Sequence, residues 1–150
     1  MDDATLALIV ACAALAVAMV RLSFLAMRAD SNSPDRLVAE LRLAQFGALV
    51  LAVVAGAYVG FALAHADTSG SGLDIALAVG FVVLASYAQT QEPATALTLV
   101  AAGFGGHAVV DLLHAAALLP SDSLPTWYPT ACALYDVAVA GVCYLPIVRR

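Results

Sequence analysis

The amino-acid sequence predicts an all-α integral membrane protein, a single domain of residues 1–150 built as a bundle of five transmembrane helices. Hydrophobic residues make up 63% of the chain, charged residues only 11%, and the mean hydropathy is +0.96. A soluble domain carries about 25% charged residues, and a chain this short has too little core to hide so much apolar surface from water. A membrane helix needs roughly 20 apolar residues. Five apolar runs meet or approach that length, so we expect the spans 4–27, 43–66, 73–88, 94–119 and 127–148.

The first two spans are joined by a short polar segment. No positive charge precedes the first span, which favours a membrane helix over a secretory signal. In the joining segment, Ser33 is a suitable helix cap and Pro34 suits the first helical position. Arg36 and Glu40 are four residues apart, so we expect them on one face of a short cytoplasmic extension of the second helix.

The remaining breaks have the composition of turns. The stretch DTSGSGLD at 67–74 predicts a flexible turn, and QEP at 91–93 ends the third span, which is the shortest. The stretch LPSDSLPTWYP at 119–129 predicts a proline-rich loop between the fourth and fifth spans. Trp127 and Tyr128 in this loop are suited to the membrane interface.

The arginines predict the orientation, because the chain has no lysine. Four flank the first loop and two end the chain: Arg21, Arg28, Arg36, Arg42, Arg149 and Arg150. The other loop faces carry aspartates: Asp2, Asp3, Asp67, Asp74 and Asp122. Positive charge collects on the cytoplasmic side, so we expect the N-terminus outside and the C-terminus in the cytoplasm. The arginine-only cation set favours the plasma (inner) membrane of a prokaryote.

Several function classes have no sequence signal. No basic stripe points to nucleic acid as a partner, and there is no nucleotide-binding loop or Ser-His-Asp order. The three cysteines, Cys12, Cys132 and Cys143, lie in apolar runs without CxxC spacing, which supports neither a disulfide framework nor a zinc ribbon. Whether the protein is an enzyme stays open.

The fourth span contains an unusual polar stretch, GHAVVDLLHA at 106–115. His107, Asp111 and His114 follow the spacing i, i+4, i+7 and therefore share one helical stripe about 60° wide. Ionisable residues inside a bilayer are costly and rarely face lipid. We therefore expect this stripe to face protein.

A second polar stripe runs along the fifth span. It contains Cys132, Asp136 and Cys143, with Tyr135 beside it. At about 1.5 Å per residue from the outer ends, Asp111 and Asp136 both lie roughly 13–14 Å deep. The short connecting loop makes the two helices antiparallel neighbours, so the stripes should face each other. Tyr58 and Cys12 are expected at a similar depth.

Two mechanisms fit a cluster of His, Asp and Cys between these helices. The first is a transition-metal or redox site, since imidazole and carboxylate at helical spacing are frequent ligands. The expected ligands are His107, Asp111, His114, Asp136 and Cys132. The second mechanism is a proton path, because histidine titrates near neutral pH. That path would use His107, Asp111, His114, Asp136 and Tyr135.

A less favoured cofactor is haem, held axially by His65 and His114 near the outer face.

A third hypothesis needs no cofactor, because polar groups also join membrane helices through hydrogen bonds. In this case the protein is a non-catalytic accessory or scaffold subunit of a larger membrane complex. Gly56 and Gly60 form a GxxxG motif, which is typical of close helix packing within a chain or between copies. The expected partners are therefore the lipid bilayer and a homo-oligomer or a larger complex.

Overall fold

The computed structural model describes residues 3–64, 71–120 and 124–149, which fold into helices joined by turns. The five helices are α1 (Asp3–Arg28), α2 (Pro34–Ala64), α3 (Ser71–Ala88), α4 (Pro93–Ala115) and α5 (Tyr128–Val148). Four stretches are long and apolar enough to cross a membrane: Thr5–Arg28, Pro34–Ala64, Pro93–Ala115 and Tyr128–Val148. The apolar stretch of α3, Gly72–Ala88, is shorter. The all-helical prediction is confirmed.

Two helix boundaries differ from the predicted spans by four residues or more, and the others differ by at most two residues. α2 begins at Pro34, where the proline occupies the first helical position, and it continues without a break into the predicted second span. α4 ends at Ala115 rather than at 119. The chain reverses there because Ala117 adopts a left-handed φ of 55°. Leu118 N donates to Leu113 O at 2.9 Å, and Ala117 N donates to His114 O at 3.0 Å, which is a Schellman ending.

α2 lies at the centre of the bundle and contacts each of the other four helices. The most extensive contact joins α4 and α5, the pair that the sequence predicts to be neighbours. α1 packs on α2 and α5, whereas α3 packs on α2 and α4. In the described residues, α1 and α3 do not contact each other. They therefore flank the centre of the bundle on opposite sides.

Glycine allows the closest approach between α2 and α4. A Cβ atom at Gly103 would lie 2.5 Å from Cδ2 of Leu51, and one at Gly47 would lie 2.9 Å from Cγ1 of Val100. By contrast, a Cβ atom at Gly56 or Gly60 would meet no atom of the described residues within 4 Å. The GxxxG pair therefore does not mediate helix packing within the described part of this chain.

The outer surface of the bundle is strongly apolar. Large hydrophobic side chains such as Val17, Leu63 and Leu134 are 69%, 76% and 71% exposed. Soluble monomers rarely expose contiguous apolar surface on this scale. This surface suits a lipid environment.

At one end of the bundle, side chains of α1 and α2 donate hydrogen bonds to the backbone of α5 near Pro146, which lies inside α5. Proline has no N–H, so the helix leaves the carbonyl of Val142 without its usual i+4 donor. Ser23 Oγ of α1 donates to that carbonyl at 2.8 Å. From α2, Arg36 donates to the carbonyl of Pro146 and pairs with Glu40, with Nε 2.6 Å from Oε1.

Arg36 and Glu40 are 5% and 0% exposed, so this ion pair is buried between helices rather than lying on an exposed extension. We call this the arginine end, because the described arginines lie near it: Arg21 and Arg28 late in α1, Arg36 and Arg42 early in α2, and Arg149 after α5.

Candidate metal centre

Four side chains with metal-binding atoms meet between α4 and α5. They are His107 and Asp111 of α4, and Cys132 and Asp136 of α5. One ligand atom from each residue lies within 4.8 Å of the others. Each pair is spaced by four residues, so each helix presents both of its members from one face. All four residues are buried, with Asp111 and Asp136 fully inaccessible.

The imidazole of His107 occupies the middle of this cluster. Its Nδ1 lies 2.6 Å from Oδ2 of Asp136 and 3.2 Å from Oδ2 of Asp111. An ionised carboxylate only accepts hydrogen bonds, so Nδ1 carries the hydrogen in this arrangement. The ring also packs edge-on against Phe81, with the ring centres 4.9 Å apart. Polar and aromatic contacts therefore hold the ring in one orientation.

A tyrosine of α2 supports the cluster from a third helix. The hydroxyl of Tyr58, a residue only 4% exposed, donates a hydrogen bond to Oδ1 of Asp111. Ligating carboxylates usually accept such a bond, which fixes their orientation. The sequence places Tyr58 at the right depth, but periodicity alone does not reveal that its side chain turns toward Asp111.

Two buried polar atoms next to the cluster have no hydrogen-bond partner in the described residues: Oδ1 of Asp136 and the hydroxyl of Tyr135. Leaving a buried polar atom unpaired costs about 1–3 kcal/mol, and more when the group is charged. A cation bound beside Asp136 would satisfy its free oxygen.

His114 does not join the four-residue cluster. Its Nε2 lies 2.9 Å from Oδ1 of Asp74 on α3, and its Nδ1 lies 2.9 Å from the carbonyl of Val110. Asp74 and His114 are 3% and 2% exposed, so this is a second buried pair. The sequence suggests only a loop charge at Asp74, whereas the residue lies in the first turn of α3 and faces inward.

A small cavity borders both the four-residue cluster, at His107, and the Asp74–His114 pair. It measures about 10 Å³ and lies between α2, α3 and α4. Its polar lining consists of Tyr58, Asp74, His107 and His114, and Ala55 and Ala78 are among its apolar walls. This volume is close to the minimum that holds one water molecule.

A larger apolar groove of about 320 Å³ opens between α1, α2 and α5. Cys12, Cys132 and Tyr135 are part of its wall, together with Trp127 and Tyr128 at one end. Cys132 therefore borders both the metal-binding group and the groove. Its thiol also lies 3.8 Å from the hydroxyl of Tyr128.

The expected haem pair is only partly described. His65 lies outside the described residues, and both ring nitrogens of His114 contact protein acceptors.

In comparisons with known proteins, no family model, no curated protein and no solved structure matches this chain.

Proposed function

We propose that this chain is an integral membrane protein that crosses the bilayer five times and holds a divalent transition-metal ion between α4 and α5. The apolar outer surface and the four long apolar helices support a membrane location. α3 has 18 residues and is about 27 Å long, which is close to the thickness of the hydrocarbon core.

The arginine end supports an orientation with the N-terminus outside and the C-terminus in the cytoplasm. Described arginines of α1, α2 and the end of α5 all lie near that end, which the positive-inside rule assigns to the cytoplasm. The metal-binding group then lies in the outer half. A prokaryotic plasma membrane is the location we propose.

The observation that carries the metal proposal is the convergence of four buried ligand atoms within 4.8 Å. Two ligands at about 2.0–2.1 Å from one ion, at a tetrahedral angle, are about 3.3 Å apart. The 3.2 Å separation between Nδ1 of His107 and Oδ2 of Asp111 is close to this value. The 2.6 Å separation from Nδ1 to Oδ2 of Asp136 is a hydrogen-bond distance and would have to lengthen when a metal binds. Small shifts of the side chains would complete the coordination.

Charge supports a divalent ion. Two buried carboxylates face a single imidazole. When both carboxylates are ionised, even a fully protonated, positively charged imidazole leaves the group with a net negative charge. A divalent cation with a neutral imidazole balances both carboxylates, and a Cys132 thiolate in the coordination would leave one net negative charge. The mixed nitrogen, oxygen and sulfur set suits Zn²⁺ and similar late first-row ions better than Mg²⁺ or Ca²⁺. Bound there, the ion would supply Lewis acidity, while Tyr58 orients Asp111.

A proton path through the whole bundle has less support. The buried polar side chains around His107 give way to an apolar layer that includes Leu51, Leu97, Val100 and Phe104. The next buried polar groups in the described residues are those at the arginine end. A metal centre, unlike a proton path, does not need polar groups that continue across the whole bundle.

The test is the metal content of protein purified in detergent, with two histidines of the same helix as a matched pair. We expect about one ion per chain in the wild type and in His114→Ala, and little in His107→Ala or Asp136→Asn, because metal ligands must be present for binding. Circular dichroism verifies that each variant keeps its helices. Metal-free wild type, or equal metal in both histidine variants, would overturn the proposal.

A second candidate is an accessory subunit, and one observation favours it. No described residue covers Gly56 or Gly60, so this small-residue face is available for packing against a partner helix. In that case Gly60→Leu disrupts a native complex seen by crosslinking, whereas His107→Ala leaves the complex intact. Unchanged crosslinking in Gly60→Leu would count against it.

A further inference from the structure

The two ends of the bundle differ in how they connect to the candidate metal centre. His107 lies eight residues before the end of α4, about 12 Å along the axis. Toward the arginine end, the described core beside it is apolar, with Phe104 and Val139 as its first layer. Toward the opposite end, buried polar side chains continue.

These side chains are Asp74 and His114. Asp74 lies in the first turn of α3, and His114 lies in the last turn of α4, so both are within one turn of the end of their helix. Nδ1 of His114 contacts a carbonyl, which leaves Nε2 and the carboxylate to face each other at 2.9 Å. This contact is a hydrogen bond, so one proton lies between the two atoms. A divalent cation that binds both the imidazole nitrogen and the carboxylate oxygen would displace that proton to water.

The small cavity joins this pair to the centre. Its wall includes both members of this pair, Asp74 and His114, together with His107 and Tyr58 from the candidate centre. At about 10 Å³ it has room for one water molecule or one small cation, and its polar lining supplies partners for either.

The 320 Å³ groove beside Cys132 offers no equal route for an ion. Its wall includes aliphatic side chains such as Leu8, Ile9 and Val53. Moving a charged ion across such a surface without compensating polar groups is costly.

We propose that Asp74, His114 and the small cavity form the route by which a divalent cation reaches the ligands around His107. This inference rests on the proposed metal centre. The Asp74–His114 pair serves as a transient binding point one turn inside the bundle, and the cavity is the step from that pair to the permanent ligands. The competing explanation is that the pair only fastens α3 to α4.

The experiment measures how fast Co²⁺ binds to metal-free protein in detergent, followed by stopped-flow absorbance of the Co²⁺ complex. Asp74→Asn keeps the size of the side chain but removes its charge. Ala78→Val narrows the cavity, because Ala78 is one of its walls. Ala85→Val is the matched control, since Ala85 is a buried alanine of the same helix that does not line the cavity.

We expect Asp74→Asn and Ala78→Val to slow Co²⁺ binding at least about tenfold, while the final amount of Co²⁺ per chain stays the same. Ala85→Val should bind at the wild-type rate. Thermal unfolding of the metal-free variants shows whether the pair also fastens the helices, and rates are compared where all variants are folded.

Three results would overturn the route. If Asp74→Asn binds Co²⁺ as fast as the wild type, or if Ala78→Val matches Ala85→Val, ions do not pass this way, although the metal centre stands. If the wild type itself takes up no Co²⁺, the proposed function fails and the route fails with it.

Discussion

The hydroxyl of Tyr58 donates to Oδ1 of Asp111, while Oδ2 of the same carboxylate faces Nδ1 of His107 at 3.2 Å. One carboxylate is thus held from two sides by two different helices. α2 thereby supports a group whose candidate ligands all come from α4 and α5. The position of the carboxylate depends on a residue that binds no metal itself.

Removing this hydroxyl should weaken metal binding without removing a ligand. We predict that Tyr58→Phe lowers metal affinity by about 10–100-fold, as is usual when a hydrogen bond to a ligand is lost. Competition with a chelator of known affinity measures the change. Tyr144→Phe is the control, because Tyr144 lies on α5 and is half exposed. Equal affinity in the two variants would show that Tyr58 does not orient Asp111.

Ser23 should stabilise the fold through the carbonyl that Pro146 leaves without a donor. We predict that Ser23→Ala lowers the free energy of unfolding by about 1–3 kcal/mol, the cost of an unpaired buried polar group. Denaturant-induced unfolding in detergent measures it. Ser86→Ala serves as the control, because Ser86 is exposed and, within the described residues, its hydroxyl donates to Val82 of the same helix.

A double-mutant cycle makes this prediction specific. Pro146→Ala provides an N–H for the carbonyl of Val142, so Ser23→Ala should cost less in that background. If Ser23→Ala lowers the free energy of unfolding equally in the wild type and in Pro146→Ala, the contribution of Ser23 does not depend on Pro146.

The same substitution at two glycines should have opposite effects. Gly103→Ala places a Cβ atom 2.5 Å from Leu51, so we predict a loss of about 1–3 kcal/mol from overpacking. Gly56→Ala meets no atom of the described part of the chain within 4 Å and should stabilise α2 by up to about 1 kcal/mol through helix propensity. Unfolding of both variants in one detergent gives the comparison. Similar changes in both would contradict the close approach of α2 and α4.

The ending of α4 contains an alanine where glycine is usual. Ala117 has a φ of 55°, a conformation that costs a non-glycine residue about 1–2 kcal/mol. We predict that Ala117→Gly raises the free energy of unfolding by about 1 kcal/mol. Ala116→Gly, at a φ of −84°, should give no gain. If both variants behave alike in thermal unfolding, the left-handed ending is not a source of strain.

Helical periodicity carried most of what the sequence revealed about the candidate site. Residues four apart share a face, so His107 falls with Asp111, and Cys132 with Asp136, before any contact is known. The same periodicity puts His114 on that face, but two turns farther along. Seven residues correspond to about 10 Å, which is too far for one ion to bind His114 and His107 together.

The sequence alone does not predict which side chains on α2 and α3 contact the polar residues of α4. The depth of Tyr58 and the position of Asp74 near a helix end can be read from the chain. Which way each side chain turns depends on how α2 and α3 rotate against α4. That rotation is decided by tertiary packing, such as the approach at Gly103. Cross-helix pairs therefore come only from the structure.

If the chain spans the membrane and binds a metal as proposed, the apolar layer between the candidate centre and the arginine end would make the centre sensitive to voltage. An ion that enters beside Asp74 and stops at His107 crosses about a third of the length of α4. One charge moved through the whole membrane gains about 2.3 kcal/mol per 100 mV, so a divalent ion moved a third of the way gains about 1.5 kcal/mol. With the proposed orientation, a cell interior at −100 mV would tighten metal binding roughly tenfold. Occupancy of the centre would then follow the energised state of the membrane.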